Sequence, residues 1–403
     1  MIKKIYLFTD YFFPESNAPA LRCYEHAKIW VKEGHEVVIV TCNPNFPDGK
    51  LYEGYDNKLI KSEKLEGIKI IRLWSFITPN RGFLLRVIDH ISSGISFFLY
   101  SLKIPNSSYV IATSPQFMTL IAIYFSSFFK RWKFIPEIRD MWPEGIIFLK
   151  KDFLLYKFLE FLEIQIYRKA YKIICVTKSF QKSISKRAKI ENNKFILSYN
   201  GSNNSLYKEI TDDQSYFIKK FSEQVKGKII IGYAGTVGIS HGLENIVDYI
   251  NKLNLKNFVF FFVGSGAKFQ TIKDNSQFSE NIFVHEKIDQ SRMLDFYEFI
   301  DFSLISLLNI EQYDKVIPSK LFESFAYKKP VLACLRGEAK EIIEDYRVGI
   351  TFVNNDINSF KKATYEIASL MQDKHCFRNQ LNIVRENFSR KKQATEILSK
   401  LDD

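Results

Sequence analysis

Along the chain, short runs of consecutive apolar residues alternate with longer stretches in which apolar positions recur every three or four residues. The first pattern is that of a strand buried on both faces, the second that of an amphipathic helix. Strands are predicted at 5–8, 37–41, 68–73, 109–113 and 133–138, with helices between them that include 20–32 and 153–170. A strand at 172–177, a helix at 179–187 and a strand at 194–198 complete this half, which ends at Tyr199-Asn200-Gly201. A polar stretch, 205–226, reads as a linker, and the alternation then resumes. Strands at 228–233, 258–263, 282–285, 303–307 and 330–334 alternate with helices at 242–253, 291–299, 319–327 and 338–345, and a last helix over about 374–401 has no strand after it.

Such alternation builds parallel sheets with helices on both faces. The 403 residues exceed the roughly 250–300 that one core sustains. The prediction is an α/β chain of two Rossmann-like domains facing each other across a cleft. Residues 1–205 form the first domain, 206–375 the second, and the final helix, 376–403, returns to the first. Ligands of such sheets bind outside the carboxyl ends of the strands, so the chemistry is expected there.

Two apolar runs, 91–102 and 117–129, hold 12 and 13 residues, short of the roughly 18–20 that span a bilayer. Neither is read as transmembrane. Both are rich in large apolar side chains, and the second runs into Lys130-Arg131-Trp132-Lys133. Rings settle at headgroup depth while cations meet anionic lipid, so these runs suit helices on a membrane surface as well as packed core helices.

Charge separates the halves. Residues 1–200 carry 30 Lys and Arg against 18 Asp and Glu, whereas 201–403 carry 27 of each, so the whole net charge of +12 lies in the first half. A basic half suits nucleic acid, a membrane surface or a phosphorylated substrate. No basic helix or RNA-reading aromatic motif accompanies the charge, which argues against nucleic acid. The five cysteines, Cys23, Cys42, Cys175, Cys334 and Cys376, show no CxxC or short Cys/His spacing, so neither a disulfide framework nor a zinc site is indicated and a reducing cytoplasm is expected. The apolar run after Met1-Ile2-Lys3-Lys4 is too short for a signal peptide.

Two stretches of the second half carry candidate chemistry. Pro318-Ser319-Lys320 opens a helix whose apolar positions are Leu321, Phe322, Phe325 and Ala326; Ser319 can cap it, and Glu323 follows one turn after Lys320. Free amides at such a start, with the charge of Lys320, suit an anion such as a diphosphate. Surface roles for Lys320 and Glu323 fit this stretch equally well. Gly235-Thr236-Val237-Gly238-Ile239-Ser240-His241-Gly242 likewise follows a strand and opens a helix, as a phosphate loop or as a plain tight turn. His26, His35, His90, His285 and His375 read as structural.

With these residues the chain resembles a retaining glycosyltransferase of family 4, of the two-domain GT-B architecture, over nearly its whole length. Tyr11 to Arg22, Gly34-His35-Glu36-Val37, Asn43 to Pro47, Arg139-Asp140-Met141-Trp142-Pro143-Glu144, Tyr233-Ala234-Gly235-Thr236, His241-Gly242-Leu243 and Pro318-Ser319-Lys320 with Glu323 are similar to the subgroup that includes N-acetyl-L-fucosamine transferases of O-antigen and capsule assembly. The resemblance implies that Glu323, matching the second glutamate of the family's Glu-x₇-Glu motif, bonds the ribose hydroxyls of a nucleotide sugar. Lys315 stands where the first glutamate belongs, with Glu311 and Asp314 near enough in sequence to reach in. Thr236 and His241 occupy positions where the family has Arg and Lys near the diphosphate, so the leaving charge is assigned to the amides around Gly238 and to Lys320.

The implied donor site is therefore Gly235, Thr236, Gly238, Ser319, Lys320, Leu321 and Glu323. Asn17, which replaces a common glycine, belongs with Arg22 and Arg139 to the loops of the acceptor half, and Asp140, Glu144 and His241 are the candidate catalytic groups. The implied reaction moves an amino- or deoxy-sugar from a nucleoside diphosphate, uridine diphosphate, with retention and without metal or cofactor. Its implied acceptor is a polyprenyl-diphosphate-linked saccharide of lipopolysaccharide, O-antigen or capsule biosynthesis, met by a cytoplasmic protein peripheral on the inner face of the membrane. A nucleotide-sugar 2-epimerase of the same architecture, and a nucleotide-sugar-binding protein that has lost catalysis, are the alternatives.

Overall fold

The computed structural model describes residues 2–79, 83–143, 153–203, 216–253, 255–371 and 377–402. The chain forms two units, Met1–Asn200 with Arg390–Asp403, and Gly201–Ser389.

The first unit is built on β1 (Lys4–Phe8), β2 (Glu36–Cys42), β3 (Ile60–Leu65), β4 (Ile68–Leu73), β5 (Tyr109–Thr113), β6 (Lys133–Ile138), β7 (Ile173–Cys175) and β8 (Phe195–Leu197). The sheet order is β3-β4-β2-β1-β5-β6-β7-β8, parallel except for β3, which runs antiparallel to β4. Strands are added to one side of β1 and then to the other, so a crevice opens beyond the carboxyl ends of β1 and β5. β3, Ile-Lys-Ser-Glu-Lys-Leu, escaped the sequence pattern because this edge strand buries none of its residues. One face of the sheet packs Ile39, Ile111 and Ile135 against Ala27 and Trp30 of the helix Ala18–Lys32. The helices Phe83–Ser101 and Phe117–Ser126 cross at Gly94, where a Cβ would lie 3.3 Å from that of Met118.

The second unit holds β9 (Ile229–Thr236), β10 (Phe258–Ser265), β11 (Ile282–Glu286), β12 (Phe302–Ser306), β13 (Val331–Cys334) and β14 (Gly349–Thr351), all parallel, in the order β11-β10-β9-β12-β13-β14. β10 is buried on both faces: Phe260 and Phe262 enter one core, Val259, Phe261 and Val263 the other. β14 has three residues, too few to show a period.

Two expectations are corrected. Part of the stretch read as a linker is a helix, Tyr216–Val225, whose Phe217 and Phe221 stand four residues apart on one face and pack on Phe261, Phe296 and Phe299. Their polar neighbours hid this stripe. The single last helix is two, Arg378–Asn387 and Arg390–Ser399. The break falls where Phe388 turns inward onto Phe322, Phe325 and Tyr346 and Ser389 bridges to Ser202. The helix Arg378–Asn387 stays with the second unit. The helix Arg390–Ser399 belongs to the first, where the Trp30 indole donates to the Ala394 carbonyl at 3.0 Å. Among the described residues no helix is long and apolar enough to cross a membrane.

Candidate functional site

In the second sheet the order of addition reverses between β9 and β12. β9 pairs with β10 from Ile229 to Thr236, but with β12 only at Ile231 and Gly232. Beyond those residues the two central strands part, which makes the crevice where parallel sheets bind ligands.

Lys320, in the first turn of the helix Ser319–Ala326, reaches into that gap. Its Nζ donates to the Ala234 carbonyl at 2.7 Å and lies 5.0 Å from the centre of the Tyr233 ring. Gly235 has φ +136°, and a Cβ on it would stand 1.7 Å from Lys320 Nζ. Glycine is therefore required for backbone conformation and for space, and the space is taken by the ammonium. Burial lowers the pKa of Lys320, against the opposing pull of Glu323.

His241 closes the other side. Its Nδ1 lies 3.1 Å from the Ser306 carbonyl, and Ser306 Oγ donates back to the His241 carbonyl at 2.6 Å. A carbonyl only accepts, so Nδ1 carries the proton and Nε2 is left as an acceptor. Burial lowers the His241 pKa; the Ser306 carbonyl opposes this and Lys320 adds to it, which keeps the ring neutral near pH 7. Neutral His241 does not replace the positive charge expected at this position. Lys320 supplies it.

The loop after β9 lies directly on the loop after β10: a Cβ on Gly264 would sit 1.8 Å from the Gly235 carbonyl oxygen, and Val237 N–H donates to the Ser265 carbonyl at 2.8 Å. Gly238, Thr236 and His241 are thus brought to one rim with Gly235 and Lys320. Glu323, half-buried, raises the phenol pKa values of Tyr297 and Tyr327 after burial has done so, the latter to about 12, and those two rings stack at 4.2 Å. The helix start differs from expectation. Pro318 is the N-cap, no side chain caps the helix, and Ser319 is its exposed first residue. Leu321 is fully buried, and its amide donates to the Pro318 carbonyl at 3.0 Å, so its side chain is core. Asp314 is paired with Arg336 at 3.1 Å. Glu311 and Lys315 share the short turn Glu311–Lys315 with it.

In the first unit Asn17 is the N-cap of the helix Ala18–Lys32: its Oδ1 accepts from Ala20 N–H at 2.9 Å, while its buried Nδ2 has no hydrogen-bond partner. Arg22, expected near the acceptor, is instead core: 1% exposed, it bonds Glu137, both polar oxygens of Ser198 and the Tyr199 carbonyl. Arg139 and Asp140 follow β6, their amides fixed by Ser114 Oγ at 2.7 and 3.1 Å. The Arg139 guanidinium buries Nε and Nη1 without hydrogen-bond partners, while its charge acts on the nearby Glu137 and Asp140 carboxylates. Surrounding protein raises the Asp140 pKa despite Arg139. No helix begins at Asp140, so it caps none among the described residues. Glu144 and His375 lie outside the described residues.

Two groupings were not picked out from the sequence. Ser306 holds His241, and the signal available was its place at the end of β12. Asp10, Asp89 and His90 gather in a cavity of the first unit; the signal was an acid just after β1 and a charged pair ahead of an apolar run. The larger cavity of about 650 Å³ lies among the loops after β12, β13 and β14, lined by residues such as Tyr313, Arg336, Lys340 and Lys362, and includes neither Lys320 nor Glu323. Cavity size and the strand reversal therefore point to different parts of the second unit.

Residues 215–390 match the family described as Glycosyl transferases group 1. The match falls within the part of the chain that forms the second unit and the start of the helix after it. The Pseudomonas aeruginosa protein named "Probable glycosyltransferase WbjE" is 22% identical over 293 residues, covering 68% of this chain and 70% of that protein. Among solved structures, sucrose-phosphate synthase from Thermosynechococcus elongatus superposes with a TM-score of 0.73 at 13% identity, over 98% of both chains. Anabaena HepE in complex with UDP does so with 0.69 at 12% identity, over 99% of both. The fold is GT-B, and the group 1 match together with the related protein supports a glycosyltransferase.

Proposed function

We propose that this chain transfers a sugar from a nucleoside diphosphate, uridine diphosphate first, to a lipid-linked saccharide in bacterial surface polysaccharide assembly. The observation that carries the reading is Lys320, a half-buried cation held in the gap between β9 and β12 within the stretch that matches group 1 glycosyl transferases. In this reading Lys320 and the amides near Gly238 stabilise the departing diphosphate in place of a metal ion, Glu323 holds the ribose, and the anomeric configuration is retained. The family match favours transfer over epimerisation. A thermal-shift and calorimetric screen of UDP, GDP, ADP and dTDP tests it. One nucleotide is expected to stabilise the protein selectively, with about tenfold weaker binding in Glu323→Ala. A flat response to all four refutes the reading.

The first unit supports the lipid-linked acceptor. Leu84, Ile88, Ile91, Ile95 and Leu99 are exposed along one face of the helix Phe83–Ser101, and Phe125, Phe128 and Phe129 at the end of the neighbouring helix are exposed as well. Lys169 Nζ stands 4.9 Å from the Phe128 ring centre, and the acids of the adjoining helix, Glu160 and Glu163, are paired with Arg187. What remains is an apolar face edged by cations, which suits an anionic membrane surface at the inner leaflet. The protein is expected to float with phosphatidylglycerol vesicles. Phe128→Asp with Phe129→Asp should leave most of it in the soluble fraction, and equal flotation of both proteins contradicts membrane docking.

A further inference from the structure

The helix Phe83–Ser101 has a second face that the membrane reading does not use. Arg86, Asp89, His90 and Ser93 recur there at helical spacing and line a cavity of about 340 Å³ beyond the carboxyl ends of β1, β2 and β4. Asp10, two residues past β1 and 8% exposed, faces them from the sheet. Its Oδ1 accepts from Thr119 Oγ1 at 2.5 Å, and its Oδ2 lies 3.6 Å from His90 Nδ1, beyond a direct hydrogen bond. His90 is 40% exposed, so the pair opens to the cavity.

An aromatic rim completes the pocket. The buried Glu15 carboxylate accepts from the amides of Phe12, Asn45 and Phe46 at 3.1, 3.0 and 2.9 Å, which fixes the turn carrying Phe46. Phe46, 37% exposed, meets the Tyr11 ring edge-on at 5.4 Å. A fixed, partly exposed ring beside convergent carboxylates and an imidazole is complementary to a pyranose, whose axial C–H groups lie on a ring and whose hydroxyls donate to carboxylates. Asp10 and Asp89 face Arg86 and His90 here, so the pocket holds no surplus of cations for a phosphate or a uronate.

We propose that this pocket is a saccharide subsite in which Phe46 takes the apolar face of one neutral pyranose while Asp10, Asp89 and His90 hold its hydroxyls. Under the transferase reading, on which this assignment to a substrate rests, the sugar is the terminal residue of the acceptor. The same helix then turns its apolar face to the lipid surface and its polar face to the sugar that the lipid carries.

Saturation-transfer NMR of the full chain tests the subsite, with octyl glycosides of glucose, galactose, N-acetylglucosamine and fucose as probes. Ring protons of at least one glycoside are expected to saturate in the wild type. Affinity should fall about tenfold or more in Asp89→Asn and His90→Gln, which are nearly isosteric, and in Phe46→Ala, which leaves the buried groups untouched. The thermal response to UDP should be the same in all four proteins. Saturation confined to the octyl chain, saturation of no glycoside, or equal ring saturation in every variant overturns the subsite. Ring saturation lost in the variants with no UDP response even in the wild type keeps the subsite and removes the transferase reading instead.

Discussion

Replacing Lys320 with methionine is expected to weaken diphosphate binding about 10- to 150-fold, the equivalent of about 1.5–3 kcal/mol for a hydrogen bond to a charged group, without lowering the stability of the unliganded protein. The two halves of that expectation have one cause. Burial lowers the pKa of Lys320, so keeping it charged in the folded state costs free energy at neutral pH, and the Ala234 carbonyl and the Tyr233 ring repay only part. That cost is present below the folded pKa and is relieved as pH rises through it. Methionine keeps the stem and removes the charge, so it relieves the cost at every pH. An arriving diphosphate repays the same cost, and its affinity for the wild type should fall in the alkaline range as Lys320 loses its proton. Calorimetry with UDP, paired with urea unfolding of both proteins, reads both effects. Equal affinities would remove Lys320 from the site, and a large loss of stability would make it a structural cation.

That a lysine carries this charge shows how the sequence could be read and where it could not. A central strand such as β5 was legible to the residue because it is largely apolar on both faces. β3 was not, because nothing in it is buried. Pro318-Ser319-Lys320 and Gly235 were each legible as turns at the start of a helix. Nothing in the spacing showed that the glycine makes room for the lysine 85 positions away, since that needs the splay of β9 from β12. His241 was legible as a loop residue near that start, but its neutral state depends on the carbonyl of Ser306. His90 read as structural and Asp89 did not stand out, and only the fold turns the two toward Asp10.

The clearest misreading is Arg22, and it yields the largest expected effect on stability. Its Nε and Nη2 donate to Glu137 Oε1 at 3.1 and 3.0 Å, and the remaining contacts go to Ser198 and Tyr199, so one guanidinium ties the helix Ala18–Lys32 to β6 and to the segment after β8. Both partners are buried, at 1% and 4% side-chain exposure. Arg22→Ala takes the ion-pair partner from the buried Glu137 carboxylate, which costs about 3–5 kcal/mol. For a unit of this size that corresponds to a fall in Tm of roughly 6–20 °C. Burial raises the pKa of Glu137, but Arg22 and Arg139 more than offset this, and the net shift is downward. The stabilisation from Glu137 is therefore full above the unfolded glutamate value of about 4.3 and is lost as pH falls through the lower folded value. The acid limb of the wild-type Tm profile should carry that loss. Because the cost is that of an orphaned charge, Arg22→Met combined with Glu137→Met should be less damaging than Arg22→Ala alone. A double variant no more stable than the single would mean that the guanidinium's bonds to Ser198 and Tyr199, and not its pairing with Glu137, hold the helix in place.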